Sequence, residues 1–141
     1  RYHAAMMRTV LVGKASDHHR RMHDAAIEAL EACEQAIRPG APMGDVYDAH
    51  ARVFDARGLS HARLKACGYG MGAVYNPIWV DFPMFYEGNP VIMQEGQVFF
   101  LHMILMDSDA GEAMTLGHSV LVKRDGIERL SRHSLDLILN A

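Results

Sequence analysis

The sequence has two cysteines, no block of basic residues and no long apolar run. Each shortage closes a class of function. Cys33 and Cys67 lack metal-ligand spacing and are too few for a disulfide framework, so a reducing, cytoplasmic setting is the expectation. A membrane-spanning helix needs about 20 consecutive apolar residues, which the chain does not supply, and no signal-peptide pattern is present. Without a basic block, and with a net charge of −3 over 141 residues, a nucleic-acid backbone finds no electrostatic partner. What is present is a globular balance: 50% hydrophobic and 22% charged residues. Two counts stand out, ten methionines and nine histidines. Methionine fills irregular gaps in cores. The histidines call for placement.

Met6, Met7 and Val10 to Val12 form an apolar, β-branched run that stops at Gly13, a strand signal. Ser16 or Asp17 can cap the helix that follows, by accepting a backbone N–H. From Met22, apolar or small residues recur at Ala25, Ala26, Ala29, Leu30, Cys33, Ala36 and Ile37, which is helical spacing with one apolar face. "RPG" (Arg38 to Gly40) ends that helix. A second helix is expected from Met43 to Arg57, closed by Gly58. "KACGYGMGAVYNP" reads as a Gly-rich, turn-like segment, and "WVDFPMFYEGNPVIMQEG" as a loop with two prolines, Pro83 and Pro90. Val98 to Met106 and Met114 to Val122 read as buried strands, and Asp125-Gly126 as a two-residue hairpin loop. "LDLILNA" is a short apolar tail. Helices come first and strands later, which argues an α+β fold in a single domain over residues 1–141.

Four of these pieces, in order, carry a resemblance: "RPGAPMGDVYDAHARVFDARGL", "GYGMG", "EGQVFFLHMIL" and "LGHSVLVKRDGIERLS". Together with "YHAAMMRTVLVG" they resemble the pita-bread hydrolases, which include creatinase, aminopeptidase P, prolidase and methionine aminopeptidase. The resemblance spans nearly the whole chain. It implies the second half of the pita-bread domain, with helices packed on a curved antiparallel sheet and the first half outside this sequence. It also implies a homodimer, since a half-domain would expose apolar surface that needs covering.

The departures from the family pattern decide the chemistry. The metallopeptidases of this family bind two metal ions through two Asp, one His and two Glu. By the resemblance, one Asp station falls before residue 1 and the other at Ala5. The His station falls at Tyr69, and the Glu stations at His102 and Gly117. A substrate-contacting His falls at Asn76. Ala, Tyr, His and Gly cannot supply bridging carboxylates, so no metal ligand and no cofactor is assigned. Creatinase has the same fold without the metal and cuts a C–N bond by acid–base chemistry. Ectoine-type hydrolases, a metal-poor branch, have an Arg-Tyr-His run near the place of Arg1-Tyr2-His3. These likenesses imply hydrolysis of a small-molecule or dipeptide-like substrate with an amide or amidine-like bond.

A metal-free pocket would draw on His102, His3 and Tyr69 as catalytic candidates. An imidazole near neutral pKa takes a proton from water and returns it to a leaving nitrogen. A Tyr hydroxyl donates to a developing oxyanion. Tyr75, Asn76, Trp79 and Arg8 are the substrate-binding candidates, with Phe82 and Phe85 as further aromatic wall. For Arg8 a structural ion pair is an equal alternative. His3, His102 and His118 would make a zinc set in principle, but strand neighbours face opposite ways, so His118 should point away if Gly117 faces the pocket. His19 and His23 are spaced i, i+4 and are expected on a solvated helix face. His50, His61 and His133 are expected at the surface. The competing reading is a non-catalytic binding or interaction module that kept the fold after losing its ligands.

Overall fold

The computed structural model describes residues 2–74 and 79–140. Helix α1 (Asp17–Ala36) begins at Ser16, whose hydroxyl accepts the His19 backbone N–H at 2.9 Å while the His19 ring turns back to the Ser16 main chain. That is a capping box, and it satisfies donors that a helix start leaves open. The buried face of α1 runs Met22, Ala25, Ala26, Ala29, Leu30 and Cys33, as the periodicity requires. Helix α2 (Met43–Ala56) stops at Arg57, and Gly58, at φ +72°, turns the chain away.

The strands are β1 (Met6–Met7), β2 (Val10–Val12), β3 (Ala66–Gly70), β4 (Asp81–Tyr86), β5 (Val98–Asp107), β6 (Glu112–Lys123), β7 (Gly126–Arg129) and β8 (Ile138–Asn140). The main sheet runs β1-β6-β5-β3-β4, with β7 also on β6, and all its pairs are antiparallel. A separate parallel pair joins β2 to β8. The architecture is α+β, as expected.

One face of the main sheet meets both helices. Phe99, Leu101, Met103 and Leu105 of β5, with Met114, Leu116, Val120 and Val122 of β6, form that core. Full burial of each such side chain contributes about 1.5–3 kcal/mol. Strand alternation sends Phe100 and His102 to the opposite face, away from the helices, where Tyr69 lies beside them. Cys33 and Cys67 are free thiols buried in the core, and burial pushes the Cys67 thiol up. Among the described residues no helix is long and apolar enough to cross a membrane.

Four local expectations are corrected. "GYGMG" begins as strand β3, not as a turn. Its Gly68 is needed for closeness, because a Cβ there would collide with the Phe100 carbonyl oxygen and with the Phe85 ring. The Pro-rich segment contains β4, where Pro83 is tolerated because β4 is an edge strand. The hairpin loop is Arg124-Asp125, and Gly126 already pairs with Lys123. Within the apolar tail, Ile138–Asn140 form β8.

Candidate functional site

His102 stands in the middle of β5, directly across from Gly117 of β6. Its ring lies 5.7 Å from the Tyr69 ring and 5.9 Å from the Phe100 ring, centroid to centroid. Tyr69 and Phe100 are themselves 5.4 Å apart. All three side chains are buried. The His102 Nδ1 atom makes no hydrogen bond among the described residues. Burial lowers its pKa to about 4, with an interaction with its own backbone opposing the shift, so the ring is neutral at pH 7.

Glycine at 117 is a steric requirement. A Cβ there would collide with the Leu101 carbonyl oxygen and come within 3.2 Å of His102 Cα. Gly68 on β3 and Gly117 on β6 thus let two strands close on the Phe100–His102 stretch from both sides. By the resemblance, a metal pair would need side-chain donors at Ala5, Tyr69, His102 and Gly117. Ala5 and Gly117 carry no donor atom, Tyr69 offers a phenol, and His102 offers a single nitrogen. Among the described residues no group of three or more His, Cys, Asp or Glu is placed to hold a metal ion.

His3 lies elsewhere on the open side. Its backbone N–H donates to the Gly72 carbonyl at 2.9 Å, and its Nδ1 bonds the Trp79 carbonyl at 3.1 Å. It lines a cavity of about 690 Å³ with Ala5, Val98, Ser119, Ser131 and Arg132, among others. His102 is not in that lining. The fold brings His102 and Tyr69 together and sets His3 in a neighbouring cavity. Trp79 is 65% exposed, and its carbonyl is the group in contact with His3. Phe85 belongs to the helix-side core, against Phe99 at 4.9 Å. Tyr75 and Asn76 lie outside the described residues.

Arg8 departs from its expected carboxylate-binding or ion-pairing role. Its guanidinium donates to four backbone oxygens: Ser134 at 2.6 Å, Met7 at 2.7 Å, Gly117 at 2.8 Å and His133 at 3.0 Å. Four of its five N–H groups are thereby engaged. Arg8 is a clamp that fastens residues 133–134 to β6.

The remaining histidines are mostly structural. His118 faces the helices and bonds Glu34 of α1 at 2.6 Å, which removes it from the His102 face and from any shared zinc set. Glu34 also accepts two bonds from Arg129. Burial would raise the Glu34 pKa, but the His118 and Arg129 hydrogen bonds outweigh it and hold the carboxyl below its usual range. His18 and His61 both donate to Asp107, at 2.9 and 3.3 Å. The Ala110 backbone N–H and these two rings lower Asp107 to about 2. His23, expected on a solvated face, is buried and bonds the Leu135 carbonyl at 2.8 Å. His50, expected at the surface, is fully buried between Tyr47 and Phe54. Its position i+4 from Val46 and i−4 from Phe54 was the signal that places it on the buried face.

The model of metallopeptidase family M24 matches residues 1–124. Ectoine hydrolase from Halomonas elongata is 30% identical over 132 residues, covering 93% of this chain and 32% of that protein. Among solved structures, X-Pro aminopeptidase from Thermotoga maritima superposes with a TM-score of 0.89 at 19% identity, over 99% of this chain and 38% of that one. The N-terminal domain of a FACT complex subunit from Cicer arietinum superposes with a TM-score of 0.82 at 20% identity, over 99% of this chain and 35% of that one. The chain spans about a third of the length of the curated relatives it matches. The fold is the pita-bread fold of these peptidases. By the extent of the family match, the chain belongs to metallopeptidase family M24.

Proposed function

We propose that this chain carries the reacting face of a hydrolase that cuts a C–N bond in a small amide or amidine-like substrate, with His102 moving the proton and Tyr69 binding the substrate oxygen. The observation that supports the reading is the state of His102. It is a buried, neutral imidazole whose buried Nδ1 has no hydrogen-bond partner among the described residues, packed against a phenol on the sheet face away from the helices.

In an amide, water attacks the carbonyl carbon while His102 accepts a water proton. The Tyr69 hydroxyl donates a hydrogen bond to the oxygen that takes up negative charge. When the C–N bond breaks, His102 returns the proton to the departing nitrogen. A ring that holds a proton weakly is slow to accept it and quick to release it. A bound, partly charged substrate would raise the His102 pKa toward the range where both steps run well. No step is assigned to metal ions, because Ala5, Tyr69, His102 and Gly117 do not supply the bridging carboxylates that such a pair needs.

The name of ectoine hydrolase puts ectoine first in a substrate panel, followed by Xaa-Pro dipeptides. The test incubates the purified chain with each compound in the presence of a chelator and follows products by NMR. The expected result is turnover that survives the chelator, falls by roughly 100-fold or more in His102→Asn, and falls less in Tyr69→Phe. Turnover that the chelator abolishes and manganese restores would overturn the assignment.

A second reading, a binding or interaction module, draws on the separation of His3 from His102 and on the FACT complex subunit that shares the fold. Absence of turnover with every compound, alongside saturable binding of one of them, would favour it.

A further inference from the structure

A second cavity, of about 470 Å³, opens where the first turns of α1 meet the end of α2 and residues 57–61. Its titratable lining is His18, Arg21, Arg57 and His61. All four are basic side chains. No carboxylate is in the lining, in a chain whose net charge is −3.

Asp107, buried at the end of β5, stands outside that lining and anchors it. Its Oδ2 is 2.9 Å from His18 Nε2 and 3.3 Å from His61 Nε2, and its Oδ1 accepts the Ala110 backbone N–H at 3.0 Å. Arginine only donates. Arg21 Nη2, 3.2 Å from His18 Nδ1, therefore gives its hydrogen to that nitrogen. The His18 ring proton is then on Nε2 and is donated to Asp107. A buried carboxylate fixes an imidazole, and the imidazole fixes an exposed guanidinium.

Both arginines have donors left over. Arg21 keeps Nε and Nη1 without a bond among the described residues. Arg57 uses Nε and Nη2 on one oxygen of Glu28 and keeps Nη1. Its pair with Glu28 is exposed on both sides, and a pair of that kind is weak, so the guanidinium is able to turn.

We propose that this cavity binds a phosphate group, held by the Arg21 and Arg57 guanidinium groups, with His18 and Asp107 as positioning residues. Planar guanidinium forks match phosphate oxygens. A tetrahedral dianion presents oxygens to two forks at once, which a flat carboxylate does less well. The group is the head of a small phosphate ester or the free ion. The site is separate from the reacting face. Asp107 follows Leu105 in the strand alternation that faces the helices, and His102 is on the other face. The inference therefore stands or falls independently of the role given to His102.

The test titrates glycerol 2-phosphate, inorganic phosphate and acetate, at constant ionic strength, into the isotope-labelled full chain. The readouts are the arginine Nε–H signals and the Gly58 and Leu59 amides. Both phosphates should shift these signals saturably, and acetate should bind at least about tenfold more weakly. Arg21→Ala should weaken phosphate binding by about tenfold or more, and Arg57→Ala by a smaller factor. Both side chains are exposed, so both variants should fold. His18→Ala should weaken binding and also shift the Arg21 Nε–H signal in the free chain, which a side chain with no hold on Arg21 would leave in place. Tighter binding of glycerol 2-phosphate than of inorganic phosphate would support the ester as ligand, and equal binding would support the free ion. No saturable shift with either phosphate, acetate binding as tight as theirs, or an unchanged affinity in Arg21→Ala would overturn the site. An unmoved Arg21 signal in His18→Ala would overturn the positioning role.

Discussion

The His102 and Tyr69 rings lie 5.7 Å apart on the sheet face that the helices leave open. With Phe100 they form a three-ring cluster that keeps water from the imidazole, and this desolvation sets its low pKa. Removing one wall should therefore be visible as a titration. Tyr69→Ala should admit water and move the His102 pKa up from about 4 toward the ordinary value near 6.5. Tyr69→Phe keeps the wall and should leave it low. Imidazole NMR across pH reads both. An unchanged value in Tyr69→Ala would mean that other groups desolvate His102.

His50 makes a second titration argument, one of stability. Its ring nitrogens have no hydrogen-bond partner among the described residues, and burial, followed by the Arg63 charge, lowers its pKa to about 3. The neutral ring is the folded form, while the unfolded chain binds a proton below pH 6.5. The fold therefore loses stability as pH falls from 6.5 toward 3, by about 2 kcal/mol between pH 7 and pH 5 from this group. His50→Leu should be neutral or stabilising by about 1 kcal/mol at pH 7, since it removes an unpaired buried polar group, and should flatten the decline. Urea midpoints at the two pH values check this, and an equal decline in both proteins would contradict it.

Gly117 predicts a failed restoration. Gly117→Ala should destabilise the chain by about 1–3 kcal/mol or more, because the new methyl meets the Leu101 carbonyl oxygen. Pairing His102→Glu with Gly117→Glu replaces both carboxylates, yet the backbone leaves no room for the second. Calorimetric titration of that double variant with manganese should show no stoichiometric binding. Tight binding would mean that β6 moves away from β5 at little cost.

The Glu34 network should behave as a fastener between α1, β6 and β7. Glu34→Gln leaves the buried His118 ring and the Arg129 fork without their charge partner, a loss of about 3 kcal/mol. Since the folded Glu34 pKa lies below 4.5, its contribution is present above pH 4.5 and is lost as pH falls through the folded value. Denaturation midpoints of the variant should converge with those of the parent at low pH. A constant gap down to that range would assign the loss to packing.

The helices were legible because their signals are local: the Ser16 cap, the i, i+3, i+4 spacing from Met22, and Gly58. Strands β5 and β6 were legible as apolar runs. β3 was not, because Gly68 reads as a turn until Phe85, Leu101 and the Phe100 carbonyl are seen pressed against it. β4 was hidden by Pro83, which only an edge strand accommodates. At the site, the family resemblance marked His102 and Tyr69 as occupants of ligand stations. The clamp role of Arg8 was out of reach, since three of its four acceptors lie more than 100 residues away. Arg132 is one basic residue in a polar stretch until the fold brings it and His3 into the lining of one cavity.

The most direct measurement is the NMR titration of the His102 imidazole in the parent chain, with and without added zinc and manganese. The account predicts a ring that stays neutral from pH 8 to pH 5, protonates near pH 4, and is unmoved by either metal. Protonation near 6.5, or loss of the titration on addition of a stoichiometric metal, would contradict it.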